Sequence, residues 1–253
     1  MPIGHDTTQP AQTLKTLLKA VLNLGSQCTC KWEFRRQSFT RFNERPVELA
    51  FVFRQLARIY PRRVLDVGTG VTALPHLLRN CGCLVTATDK IKGYWPCGMV
   101  NRHYYIIDDD ITESRLHGEF DFITCVSVLE HIENSDAAMN NIFRLLAPGG
   151  YLLLTFPYSE GKYIRNVYEL PGSSYGQDFP FICQSYSRTD LDRWVRDNNG
   201  LIVEQEYWQF WEGAYWTLGR QIVPPRKTHT QGPHQLTCIV LQKMERYGCR
   251  RSH

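Results

Sequence analysis

Apolar residues follow two periods along the chain, and the change from one to the other divides it. Leu14, Leu17, Leu18, Val21 and Leu22 recur at helical spacing, with Gly25 as a stop. Leu49, Val52, Phe53 and Leu56 mark a second helix over residues 46–59. Both helical segments are expected to pack on the core or to cover its ligand cleft. From Arg63 onward, short apolar runs alternate with helical stretches. Residues 64–67, 84–88, 104–107, 120–126 and 151–156 read as strands, the first leading through a glycine turn into a helix that contains Leu78 and Arg79. The helix after the fourth strand starts at Ser135 as N-cap, carries Ala138, Ile142, Leu145 and Leu146 on one face, and stops at Pro148-Gly149-Gly150. This alternation predicts a parallel sheet with helices on both faces.

After Pro157 the pattern changes. Residues 158–187 form an insertion rich in Tyr, Gly, Ser and Pro, and long ordered loops of this kind are often functional. A helix capped by Thr189 then presents Leu191, Trp194 and Val195 on one face. Strands over 201–209 and 236–242 follow, and without a crossover helix between them they are expected to be antiparallel neighbours. The organisation expected is a helical N-terminal extension over 1–60, an α/β domain over 61–245 that carries the insertion, and a tail over 246–253.

With 253 residues, 43% hydrophobic and 21% charged, the chain suits one α/β domain plus a short extension. No run approaches the roughly 18 apolar residues of a membrane span. Met1 to Pro10 shows no basic segment followed by an apolar one, so a cytoplasmic location is expected. The net charge of +4 is mild, and the basic pairs Arg35-Arg36, Arg62-Arg63 and Arg250-Arg251 are scattered, which reads as solvated surface and against nucleic acid as a partner. Nine cysteines raise the question of zinc. In Cys28-Thr29-Cys30 and Cys81-Gly82-Cys83, one residue separates each pair, closer than structural zinc sites use. Cys125 and Cys238 sit in apolar runs as small hydrophobes. Reduced structural thiols and no metal are expected.

The strongest chemical signal is Val64-Leu65-Asp66-Val67-Gly68-Thr69-Gly70, glycines at a strand end where the backbone turns tightly and approaches a ligand. Thr72 is available to cap the next helix, whose first amides suit a carboxylate or phosphate. Asp89, 23 residues after Asp66 at the end of the second strand, is placed to bind ribose hydroxyls. Gly68, Gly70 and Ala73 also satisfy the loose dinucleotide fingerprint, so a nicotinamide cofactor is the rival. Three features decide against it: Asp66 two residues before the first glycine, suited to the ammonium of an amino-acid-bearing cofactor; Asp110-Ile111 after the third strand, placed for adenine; and the series Phe120–Cys125, Leu129-Glu130-His131 and Leu146-Ala147-Pro148-Gly149-Gly150.

Together these motifs resemble class I S-adenosylmethionine-dependent methyltransferases, in the small-molecule-type group with a Leu-Glu-His-Ile segment, over roughly residues 61–243. The resemblance implies a Rossmann-like, doubly wound, seven-stranded, mostly parallel sheet. It implies S-adenosyl-L-methionine as cofactor, with S-adenosyl-L-homocysteine as product. Asp66, Gly68, Thr69 and Gly70 would surround its methionine part. Asp89, with Lys90 beside it, would take the ribose, Asp110 the adenine amino group and the Ile111 backbone the adenine ring, while Cys125 and Val126 would line the floor near the sulfonium. Thr72 departs from the pattern, since many members have a third glycine there.

His131, after the fourth strand, is the candidate catalytic base; the alternative is a histidine that bonds locally and shapes the pocket. Glu130-His131 also resembles the Glu-x-x-Glu-His arrangement with which ubiquinone-pathway O-methyltransferases hold a divalent metal, but Ser127 stands at the first acidic position and removes one ligand. Tyr207, Trp208, Phe210, Trp211, Tyr215 and Trp216 lie close together, and Tyr158, Tyr163, Tyr168, Tyr175 and Tyr186 precede them. They serve core packing or an aromatic acceptor pocket. Lys162 and Arg165 read as solvated charges. The function expected is methylation of a small-molecule acceptor, at oxygen rather than nitrogen. Methylation of RNA or protein, and a non-catalytic cofactor-binding scaffold, are the alternatives.

Overall fold

The structure, a computed structural model, describes residues 9–39, 42–95 and 97–245, with side chains from Leu14 onward. The start of the chain, the tail 246–253 and the Arg250-Arg251 pair lie outside the described residues. Internal contacts divide the chain into two units, Met1–Asn43 and Glu44–His253. In the first, α1 (Gln9–Arg35) runs straight through Gly25, which does not stop it. A mid-helix glycine costs only about 1 kcal/mol against alanine, too little to break a 27-residue helix.

The larger unit contains α2 (Arg45–Ile59), β1 (Arg63–Val67), α3 (Leu74–Asn80), β2 (Leu84–Asp89), β3 (Ile107–Asp108), β4 (Phe120–Val126), α4 (Ser135–Leu145), β5 (Leu146–Ser159), β6 (Tyr186–Ser187), α5 (Arg188–Asp197), β7 (Gly200–Trp211), β8 (Gln221–Thr228) and β9 (Leu236–Lys243). The sheet runs β3-β2-β1-β4-β5-β9-β7-β8, with β6 paired to β5. Strands β1 to β5 are parallel to one another, β9 runs antiparallel to β5, and β7 and β9 form an antiparallel pair as expected. The expected doubly wound core is present. Phe51, Val52, Leu56, Leu74 and Leu78 of α2 and α3 pack with Val64, Phe122 and Val240. Ala138, Met139, Ile142, Leu191 and Trp194 of α4 and α5 pack with Leu65, Ile123 and Leu241 on the other face.

Nine strands replace the expected seven. The additions are β6, two residues long, and β8, whose Pro224 and Pro225 hid it; proline is confined to sheet edges, and β8 is an edge strand. The third strand is later and shorter than the expected 104–107. Asn101 Oδ1 accepts the amides of His103 and Tyr104 in a turn, so the chain meets the sheet only at Ile107. Helix starts also shift. Asn134 rather than Ser135 caps α4, and Ser187 rather than Thr189 caps α5, through a capping box with Asp190. Thr72 does not cap α3; its hydroxyl donates to the Thr69 carbonyl.

Candidate functional site

The strand order reverses beside β1, with β2 on one side and β4 on the other, and their helices cover opposite faces. In open α/β sheets such a reversal leaves a crevice at the carboxyl ends of the strands. At this crevice β1 enters the Gly68-Thr69-Gly70 turn, where φ is 69° at Gly68 and 55° at Gly70. The amides of Gly68 and Thr69 both donate to the Thr88 carbonyl of β2, at 2.8 and 3.1 Å. The two glycines serve different ends. A Cβ on Gly68 would lie 2.4 Å from Cγ1 of Val128, so that site is taken by packing, not ligand approach. A Cβ on Gly70 would meet nothing nearer than Trp95, at 3.8 Å, so the space beside its Cα is open. Asn101, which the sequence reading did not single out, donates to the carbonyls of Gly70 and Thr72, at 2.8 Å each.

The acidic residues expected to bind cofactor come together at this end of the sheet. Asp66 is buried, and its carboxylate oxygens accept from the hydroxyls of Thr69 (2.7 Å) and Thr124 (2.6 Å). Burial outweighs those bonds and raises its pKa to about 6. Asp89 Oδ2 accepts the Gly70 amide at 2.7 Å, and Oδ1 accepts the Trp95 indole at 3.1 Å. Lys90 forms an ion pair with Asp110 at 2.7 Å, joining the ends of β2 and β3. Asp110 also accepts the amide and hydroxyl of Thr112, capping a 3-10 turn over Ile111–Glu113 in which Ile111 is buried. Partial burial works against the Asp110 charge, but Lys90 and Thr112 prevail and hold its pKa below the ordinary value. The neighbouring Asp109 keeps Oδ2 buried with no partner among the described residues.

Cys125 and Val126 point to opposite faces of the sheet, each buried within a core cluster. Burial pushes the Cys125 thiol up. Beyond them Ser127, at φ 50°, donates its hydroxyl to Glu48 at 2.5 Å. Glu48 is fully buried on the core side of α2, accepts Thr155 Oγ1 at 2.5 Å, and pairs with Arg45 at 3.0 Å. Desolvation raises its pKa despite the arginine. Sequence reading missed Glu48 because an acid in an amphipathic helix is assigned to the wet face; here Glu48 and Gln55 lie on the buried one.

His131 closes a 3-10 turn over Leu129–His131. Its Nδ1 lies 2.6 Å from the Ile182 carbonyl, which accepts only from a protonated nitrogen, so Nδ1 carries the hydrogen and Nε2 the lone pair. Burial lowers its pKa, favouring neutral imidazole. Nε2 is 4.0 Å from Glu130 Oε1. Glu130 is buried, its Oε2 has no partner among the described residues, and desolvation drives its pKa well upward. Among the described residues no group of three His, Cys, Asp or Glu is placed to hold a metal ion.

The aromatic residues of the insertion and of 207–216 meet. Phe181 packs edge-on to His131 at 4.8 Å and stacks on Tyr94, and it joins Tyr168 and Phe179. Tyr168 and Phe179 reach Tyr175, which contacts Trp211 and through it Trp216. Tyr158 and Tyr186 instead pack around Phe156 in the core. Lys162 is exposed, and Arg165 pairs with Glu133 at the surface, 3.5 Å apart.

Comparison with known proteins agrees with this geometry. A family model described as a methyltransferase domain matches residues 34–206, more than half of the chain. The ubiquinone biosynthesis O-methyltransferase of Xanthomonas oryzae pv. oryzae is 33% identical over 119 residues, 44% of this chain and 48% of that protein. The protein of the same name from Dechloromonas aromatica is 29% identical over 152 residues, 54% of this chain and 64% of its own length. The chain thus spans between about half and two thirds of these relatives. Among solved structures, Burkholderia thailandensis 1,6-didemethyltoxoflavin-N1-methyltransferase, with 1,6-didemethyltoxoflavin and S-adenosylhomocysteine bound, aligns at TM-score 0.53 and 15% identity, over 96% of this chain and 94% of that one. Magnesium protoporphyrin IX methyltransferase of Synechocystis PCC 6803 aligns at TM-score 0.50 and 18% identity, over 90% and 99%. At such identities the likeness is one of fold. The family match takes in the glycine turn, the acidic strand ends and Leu129-Glu130-His131-Ile132 together, and the chain belongs to the methyltransferase domain family.

Proposed function

We propose that the chain is an S-adenosylmethionine-dependent methyltransferase that acts on a small-molecule acceptor, at oxygen in preference to nitrogen. The observation that carries this reading is the crevice beside β1, where Asp66, Gly70, Asp89 and the Lys90–Asp110 pair gather within reach of the turn that holds His131. These residues fit the cofactor. Each Asp89 oxygen has one protein donor and keeps a lone pair for a ribose hydroxyl. The space beside the Gly70 Cα is open, and the unpartnered Oδ2 of Asp109 leaves an acceptor for an adenine amino group beside Asp110. Asp66 sets the turn through Thr69 and offers its charge to the cofactor's ammonium.

When bound, the cofactor supplies a methyl group on a sulfonium for in-line displacement, a reaction in which positioning does much of the work. An oxygen acceptor must also lose a proton. His131 takes it at Nε2, the nitrogen left with a lone pair, and its lowered pKa keeps it available near neutrality. That favours oxygen over nitrogen, in accord with the names of the relatives. The aromatic wall from Tyr94 through Phe181 to Tyr168 suits a flat or apolar acceptor.

Calorimetry with S-adenosylmethionine, S-adenosylhomocysteine and NAD tests the cofactor assignment. Binding of the first two and not of NAD is expected; tight NAD binding without S-adenosylmethionine would overturn it. A methyl-transfer screen over catechols, sugars, amines, RNA and peptides then tests the acceptor class. Turnover on RNA or peptide alone would refute the small-molecule reading, and cofactor binding without turnover on any class would leave the scaffold alternative in its place.

A further inference from the structure

Helix α1 takes no part in the methyl-transfer reading, yet its large apolar residues gather on one side. At about 100° per residue, Leu14, Leu17, Leu18, Val21, Leu22, Leu24 and Trp32 fall within an arc of about 160°. Each is more than half exposed, from 54% at Trp32 to 69% at Leu14. Lys15 and Lys19 border the arc on one side and Lys31 on the other, while Arg35 and Arg36 fall within its angular range at the C-terminal end of the helix, Arg36 over the Trp32 ring at 4.5 Å. The sequence has no Asp or Glu from residue 7 through Trp32, and Glu33 is the single acid of the helix. Phe34 alone among its large apolar residues falls on the polar side.

We propose that α1 is a membrane-surface helix that lays this apolar face on an anionic lipid bilayer. An apolar arc bordered by lysines is the pattern of helices that lie in the interface, with side chains buried to the level of the headgroups and cations reaching lipid phosphates. The charge distribution decides against the other occupants. Residues 14–36 carry five cations, Lys15, Lys19, Lys31, Arg35 and Arg36, against the single acid Glu33, a balance that suits an anionic surface better than a second copy of the same cationic helix. Nucleic acid would use the lysines but leave the apolar arc in water. No helix among the described residues is long and apolar enough to cross a membrane, so the contact is peripheral.

The test is co-sedimentation of the full chain with vesicles of phosphatidylcholine and phosphatidylglycerol (3:1), and with phosphatidylcholine alone, at low salt. Binding to the anionic vesicles only is expected. Lys15→Gln with Lys19→Gln should lower the partition coefficient about thirtyfold, from the usual contribution of a surface lysine. Leu18→Asp should lower it at least about tenfold, since it puts a charge in the apolar face. Thermal unfolding midpoints equal to that of the parent establish that the variants are folded. Failure of the parent to bind anionic vesicles would overturn the proposal. So would binding that survives Leu18→Asp, which would make the contact one of charge alone. Light scattering that showed an α1-dependent dimer in place of vesicle binding would assign the face to a second copy instead.

Discussion

In the turn after β1, Gly68 is glycine because of Val128. At φ 69° an L-residue pays for the left-handed conformation, about 1–2 kcal/mol. A new Cβ would also stand 2.4 and 2.5 Å from the two Cγ atoms of Val128, far inside contact distance. Forcing an extra carbon into a packed position costs about 1–3 kcal/mol. Gly68→Ala should therefore destabilise the fold by about 2–5 kcal/mol. Val128→Ala alone removes two methyl groups from a partly buried site and should cost about 1–2 kcal/mol. In the double variant the nearest remaining atom is Val128 Cβ, at 3.0 Å, so the steric part is largely relieved while the backbone part stays. The cycle should show a favourable coupling of about 1–3 kcal/mol. Urea unfolding of the four proteins reads it directly. Strictly additive costs would show that Val128 does not fill the space at Gly68, and the turn would then owe its glycine to ligand approach.

Three further outcomes follow from the site. Asp89→Ala should weaken S-adenosylmethionine binding by about 1.5–3 kcal/mol, ten- to a hundredfold or more, as measured by calorimetry; a change under twofold in a folded variant would remove Asp89 from the ribose site. His131→Ala should lower turnover about 10²–10⁴-fold with cofactor affinity nearly intact, and parent turnover should fall as pH drops through a pKa below the ordinary histidine value, because burial favours the neutral ring. Near-normal turnover of the variant would make His131 a pocket-shaping residue. Glu130 has a raised folded-state pKa, so the stability from its protonation is complete below the unfolded value of about 4.3 and is lost as pH rises through the folded one. Glu130→Gln should then gain thermal stability over the parent progressively as pH rises above the unfolded value; a difference independent of pH would refute that burial.

What could be read from the sequence was what depends on neighbours along the chain. Strand β4 falls where its apolar run ends, at Phe120 and Val126, and the antiparallel pairing of β7 with β9 follows from the missing crossover helix. The third strand was misplaced because Tyr104 and Tyr105 have strand propensity, while Asn101 holds Tyr104 in a turn and Tyr105 is 82% exposed. The predicted acids do gather at one end of the sheet. Two of their partners, however, lie far along the chain: Thr124 on Asp66, 58 residues away, and Lys90 on Asp110. Glu48 was illegible for the same reason, since its burial depends on Ser127, 79 residues away, and on Thr155.

The same distant contacts give the insertion a second task. Its closing limb is laid along the turn that carries His131. The Gln184 amide donates to the Glu130 carbonyl at 2.9 Å, the Gln184 side chain donates to the Ile132 carbonyl at 2.7 Å, and the Tyr186 hydroxyl donates to the Leu129 carbonyl at 2.7 Å. Ile182 supplies the carbonyl that fixes which imidazole nitrogen is protonated. Residues 182–186 therefore hold both the backbone of residues 129–132 and the tautomer of the proposed base. Phe181, next in the chain, forms part of the aromatic wall. If His131 is the base and Phe181 lines the acceptor, as proposed, acceptor fit and proton acceptance are coupled through this one short stretch. A substitution that shifts Phe181 to admit a different acceptor also shifts the neighbouring Ile182 carbonyl, and with it the orientation of Nε2. Changes in acceptor preference made at Phe181 should consequently appear in turnover as well as in KM, and a Phe181 variant that altered KM alone would refute the coupling.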